Sequence, residues 1–155
     1  RDDGGWPSLV APGLDASDCD LCGIDLTGAW LDETKFDRSN LSGADLGLAL
    51  IDGASLVEAN LRGASLIAAS INETTLEGAD LAKTLLLGAM FLQVDLTGVD
   101  LRESRTMLAR FIDVNIDDAL LPPDIASQAS VFEPRTTKPT VPALPTPPRA
   151  KKPRR

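Results

Sequence analysis

Residues 44–63 read ADLGL-ALIDG-ASLVE-ANLRG when broken into fives. Each block opens with alanine and sets a large aliphatic residue third: Leu46, Ile51, Leu56 and Leu61. Stepping outward by five in both directions extends the series from Leu21 to Leu121. That is 21 positions, of which 20 are large and apolar and one is Thr106. Two residues before each, from Cys19 to Ala119, the side chain is always small or β-branched. Two residues after, glycine recurs: Gly23, Gly28, Gly43, Gly53, Gly63, Gly78, Gly88 and Gly98, eight of the chain's twelve. Asp or Asn stands immediately before the central residue in nine of the 21 units, as in Asp45 and Asn60.

A period of five excludes the two ordinary secondary structures. On an α-helix five residues turn about 500°, so the leucines would ring the axis. On a straight strand a shift of five moves a side chain to the opposite face. Only a chain that bends once in every unit keeps all the central residues inside. Gly, Asp and Asn supply the chemistry of that corner, because they tolerate unusual backbone angles or bond to nearby backbone groups.

The pattern A-[DN]-L-x-G, present as Ala44-Asp45-Leu46 and Ala79-Asp80-Leu81, resembles that of the pentapeptide-repeat proteins. The resemblance covers residues 19–123. It implies an all-β fold: a right-handed, four-sided β-helix (a solenoid) with four units per coil and just over five coils. The domain organisation follows. Residues 1–18 form an N-terminal cap with Trp6, Leu9, Val10 and Leu14, and 19–123 form the rod. Residues 124–132 form a C-terminal cap, with Ile125, Val131 and Phe132 around a short helix begun at Pro122-Pro123-Asp124. Residues 133–155 form a tail.

The remaining composition narrows function. There is no histidine, which removes the commonest general base and metal ligand. Cys19 and Cys22 form a lone C-x-x-C with no further Cys or His to complete a zinc site, and no βαβ context for redox work. The cysteines read as structural or incidental. No enzyme activity and no cofactor is expected. No apolar run is long enough to span a bilayer. The chain opens at Arg1, consistent with a processed form or an excised fragment, so it is either cytoplasmic or exported after signal removal.

With four units per coil, residues twenty apart stack on one face. Two surface features follow. The first is an apolar stripe on the second face and the adjoining third: Trp30, Leu48, Leu50, Ile67, Leu85, Leu87, Met90, Leu92, Met107, Leu108 and Ile112. A contiguous apolar surface marks an interface, for a protein partner or for a second copy forming a homodimer. The second is an acidic fourth face: Asp37, Glu58, Glu77, Asp95, Asp117 and Asp118. Residues 15–124 hold 20 acids and 7 bases, a balance of −13. Such a rod does not bind nucleic acid directly but can imitate its line of charge. The resemblance supplies the alternative partner: some pentapeptide-repeat proteins mimic DNA and bind type II topoisomerases such as gyrase. The tail is a third regime. Seven of its 23 residues are proline, which predicts an extended, disordered segment. Residues 125–155 carry seven bases and one acid, or +6. Pro145-Thr-Pro-Pro148-Arg149 also fits a PxxP ligand, although a plain flexible linker is the first reading of such a low-complexity segment.

Overall fold

The computed structural model describes residues 9–126. The chain coils as a right-handed, four-sided β-helix, and every parallel pairing joins residues twenty apart. One face runs flat enough to form strands: β1 (Leu50–Asp52), β2 (Ser70–Asn72), β3 (Met90–Leu92) and β4 (Arg110–Ile112). They make one parallel sheet in the order β1-β2-β3-β4, with Ile51, Ile71, Phe91 and Phe111 in register behind it. The other faces pair by single bridges between tight turns, such as Asn40 with Asn60 and Ser55 with Thr75.

The corner chemistry explains the sequence pattern. Ala44 N donates to Leu41 O over 3.0 Å and Ala59 N to Leu56 O over 3.1 Å, closing four-residue turns. The third residue of such a turn is left-handed. From Gly13 to Asp118 there are 22 such positions, and 21 have positive φ: nine glycines and twelve other residues. Glycine occupies the site because it adopts that angle without strain. The Asp or Asn before the central residue accepts a hydrogen bond from the backbone two residues on. Asp45 Oδ1 receives Gly47 N at 2.9 Å, Asp80 Oδ1 receives Ala82 N at 2.9 Å and Asp95 Oδ1 receives Thr97 N at 3.0 Å. This Asx turn satisfies a donor that the corner would otherwise leave open.

Leu31, Leu41, Leu46, Leu61, Leu81, Leu96 and Leu101 are fully buried, with alanines filling the space between them. Phe91 and Phe111 stack, their ring centres 4.8 Å apart and their planes 11° from parallel. Buried hydroxyls turn back onto carbonyls: Thr34 Oγ1 donates to Leu31 O at 2.9 Å and Thr84 Oγ1 to Leu81 O at 2.8 Å. A cavity of about 10 Å³ remains between Ile51, Leu66, Ile71 and Phe91. That is at the lower limit for one water, and its lining is wholly apolar, so the interior is dry.

The ends differ from the middle. Pairing reaches back beyond residue 19, the boundary expected for the rod: Val10 bridges Trp30 and Asp15 bridges Lys35. These first units are centred on Ala11 and Ala16, too small to register in a series of leucines. The interior is also incomplete there, with Leu21 partly buried and Cys19 exposed. Leu9, Val10 and Leu14 are exposed, and Trp6 lies outside the described residues. At the other end α1 (Pro123–Ala126) buries Ile125 on the core. Val131, Phe132 and the proline-rich segment also lie outside the described residues.

Candidate functional site

The coil carries the apolar stripe on its outside. Trp30, Leu48, Leu50, Ile67, Met90, Met107 and Leu108 are exposed, and Leu85, Leu87, Leu92 and Ile112 are half-buried. None of the eleven turns inward. Leu48 and Leu108 sit at left-handed corners, φ 58° and 62°, a conformation that thrusts the side chain off the rod. Leu108 is 79% exposed. Two columns organise the stripe. One stacks Ile67, Leu87 and Met107 at steps of twenty. The other runs Val10, Trp30 and Leu50 through successive bridges and resumes at Met90 beyond Ser70. Val10 escapes a count that starts at Cys19, although its spacing of twenty from Trp30 was there to be read.

Beside the second column lies a groove of about 310 Å³, lined by Trp30, Leu50, Ser70, Asp32, Asp52 and Asn72, with Ile51 at its floor. Asn72 Nδ2 donates to Asp52 Oδ1 at 3.1 Å, while Asn72 Oδ1 is buried and accepts no hydrogen bond among the described residues.

The acidic face divides in two. Asp37 Oδ1 accepts from Ser55 Oγ at 2.5 Å and Val57 N at 3.0 Å, tying one coil to the next. Asp95 accepts from Thr97 N and Oγ1 within its own turn. Both are half-buried members of the framework. Glu58, Glu77, Asp117 and Asp118 stand exposed. Elsewhere acids are held in their charged form. The Arg102 guanidinium, bonded to both carboxylate oxygens, holds Asp100 down to about 2. The Arg38 guanidinium does the same in direction for Asp18, and hydrogen bonds from Ser17 and Thr27 lower Asp15 and Asp25. These are surface pairs, and each adds little to stability. Among the described residues no group of three or more Cys, Asp or Glu is placed to hold a metal ion, and no helix is long and apolar enough to cross a membrane.

The family model for pentapeptide repeats matches residues 17–50, 44–82 and 69–105, in eight copies. Solved structures resemble the coil. A pentapeptide repeat protein (Rfr23) of the cyanobacterium Cyanothece 51142 is 21% identical over 74% of this chain and 88% of its own, with a TM-score of 0.48. One from the thylakoid lumen of Arabidopsis thaliana is 21% identical over 77% of this chain and 80% of its own, at 0.45. QnrB1, a plasmid-mediated fluoroquinolone resistance protein, is 24% identical over 72% and 70%, at 0.39. No curated protein sequence matches.

Proposed function

The chain belongs to the pentapeptide-repeat family, and on that footing we propose that it is a non-catalytic interaction module that binds a protein partner, or a second copy of itself, through the apolar stripe. One observation carries the reading. Most of the large apolar side chains that the coil does not need for its core gather on one side: seven of the stripe's eleven are exposed, while Leu14 and Leu120 are exposed elsewhere. Scattered exposed leucines are ordinary, but a contiguous band on a rigid surface is what an interface uses. Rigidity favours it further, because a platform fixed by inter-coil hydrogen bonds loses little freedom on binding.

Affinity capture tests the reading. A variant carrying Ile67→Glu, Leu87→Glu and Met107→Glu keeps every core residue and is expected to lose the partner that the intact chain retains. Equal capture by both would overturn it.

A second reading, an acidic mimic of DNA acting on a type II topoisomerase such as gyrase, is favoured by the exposed Glu58, Glu77, Asp117 and Asp118. It is weakened by the engagement of Asp37 and Asp95 in the framework. Failure of the intact chain to inhibit gyrase supercoiling at micromolar concentration removes it.

A further inference from the structure

The groove on the third face has a composition unlike the rest of the stripe. It joins an indole ring and an aliphatic wall, Trp30 and Leu50, to two carboxylates one rung apart, Asp32 and Asp52. Trp30 is 52% exposed. Among the described residues no cation pairs with either carboxylate. Asn72 adds a buried acceptor without a donor. A half-exposed aromatic with nearby acids suits a polyproline segment followed by a base: the proline rings lie on the aromatic and the base turns to the carboxylates.

The chain holds such a segment. Residues 142–149 are Pro142-Ala-Leu-Pro145-Thr-Pro-Pro148-Arg149, followed closely by Lys151 and Lys152. A polyproline helix turns once in three residues, so in that conformation Pro142, Pro145 and Pro148 would share one edge, about 9.3 Å apart. The rungs of a parallel coil lie about 4.8 Å apart, so two rungs span about 9.6 Å. The groove covers three rungs, through Trp30, Leu50 and Ser70. A polyproline edge laid along the rod therefore keeps step with every second rung. Charge agrees: residues 15–124 balance to −13 and 125–155 to +6. So does reach. Fifteen residues separate Ala126 from Pro142. Fully extended they cover about 50 Å, against about 20 Å for the four rungs between the last coil and the groove.

We propose that the third-face groove is the docking site of the chain's own Pro142–Arg149 segment, which seats against Trp30 and Leu50 with Arg149 and the lysines that follow it toward Asp32 and Asp52. The inference deepens the docking reading for one end of the stripe and rests on it. Tethering raises the local concentration of the segment, so weak contacts suffice to hold it. A partner for this end of the stripe then binds in competition with the tail.

Paramagnetic NMR on the full chain tests it. A nitroxide is attached in an Ala150→Cys variant whose own cysteines are removed by Cys19→Ser and Cys22→Ser, both at exposed positions. The expected result is broadening focused on the Trp30 indole, Leu50 and Asp52, independent of concentration. It falls at least threefold in Asp32→Lys/Asp52→Lys, and equally in Pro142→Gly/Pro145→Gly/Pro148→Gly, which leaves charge unchanged. Broadening spread over Glu58 and Glu77 and indifferent to the glycine substitutions would mean charge attraction alone and overturn the proposal. So would no broadening, or broadening seen only between labelled and isotope-enriched copies in a mixture, which would make the occupant a second chain. None of these outcomes bears on capture through Ile67, Leu87 and Met107, so the two readings fail separately.

Discussion

Thr106 Oγ1 donates a 2.5 Å hydrogen bond to Asp124 Oδ2, from the last coil to the helix that closes it. Thr106 is the single polar residue in the series of 21 central positions, and it is buried. A hydroxyl there needs a partner, and α1 brings one eighteen residues on, two short of a full coil. Asp124→Ala should lower stability by about 1–3 kcal/mol, the cost of a buried polar group left unpaired. Thr106→Val should cost less, and the double variant should cost less than the two singles summed. Urea midpoints of the four proteins check the cycle; strict additivity would show that the bond contributes nothing.

The corner geometry gives a pair of opposite substitutions. Gly98 has φ 69° and open space where a Cβ would go, so Gly98→Ala adds backbone strain and no clash. It should destabilise by about 1 kcal/mol. Ala68 has φ 56° at an equivalent corner. Ala68→Gly should stabilise by roughly 0.5 kcal/mol, the strain relieved exceeding the added freedom of the unfolded chain. Thermal melts that moved both variants the same way would contradict the shared corner.

Asp100 predicts an acid dependence. Its folded-state pKa is about 2, below the ordinary 3.8, because Arg102 binds the carboxylate through two nitrogens and its own backbone N–H. A lowered pKa contributes stability above the unfolded value that is lost as pH falls through the folded one. The loss therefore lies between about pH 4 and pH 2. Asp100→Asn keeps an oxygen for the Arg102 N–H but cannot titrate. Its stability should fall less steeply over that window than the parent's, measured by denaturant titration at each pH.

Leu66 and Glu77 test the inward and outward register. Leu66 is buried against the dry interior, and Glu77 is exposed on the fourth face. Leu66→Asp should abolish the cooperative melt, because nothing inside pairs with the charge. Glu77→Asp should change stability by less than about 0.5 kcal/mol. Comparable melting temperatures for the two would displace the register by at least one residue.

Much of this was legible in the sequence because the coil imposes one rule on every unit. Leu46, Ile51, Leu56 and Leu61 repeat in a single interior setting, so a period of five is visible without alignment. The outward stripe followed by counting twenties from Trp30 to Leu50 and from Ile67 to Leu87. What escaped was carried by backbone rather than by side-chain type. The corner is left-handed at Leu48 and Glu58 as surely as at glycine, and each donates its N–H to the next coil. Ala11 and Ala16 complete two units that a search for leucine passes over. Asp37 reads as a surface charge until its bonds to Ser55 and Val57 show it joining coils. The groove at Trp30 depends on which face flattens into strands, and the repeat is nearly identical on all four.

The most direct measurement compares capture by three full-length proteins: the parent, the stripe variant Ile67→Glu/Leu87→Glu/Met107→Glu, and the charge variant Glu58→Lys/Glu77→Lys/Asp117→Lys/Asp118→Lys. All the altered side chains are partly or fully exposed, so all three should melt alike. The predicted result is that binding to the partner, or to a second copy, is lost in the stripe variant and kept in the charge variant. Loss in the charge variant with retention in the stripe variant would contradict the account and move the working surface to the acidic face.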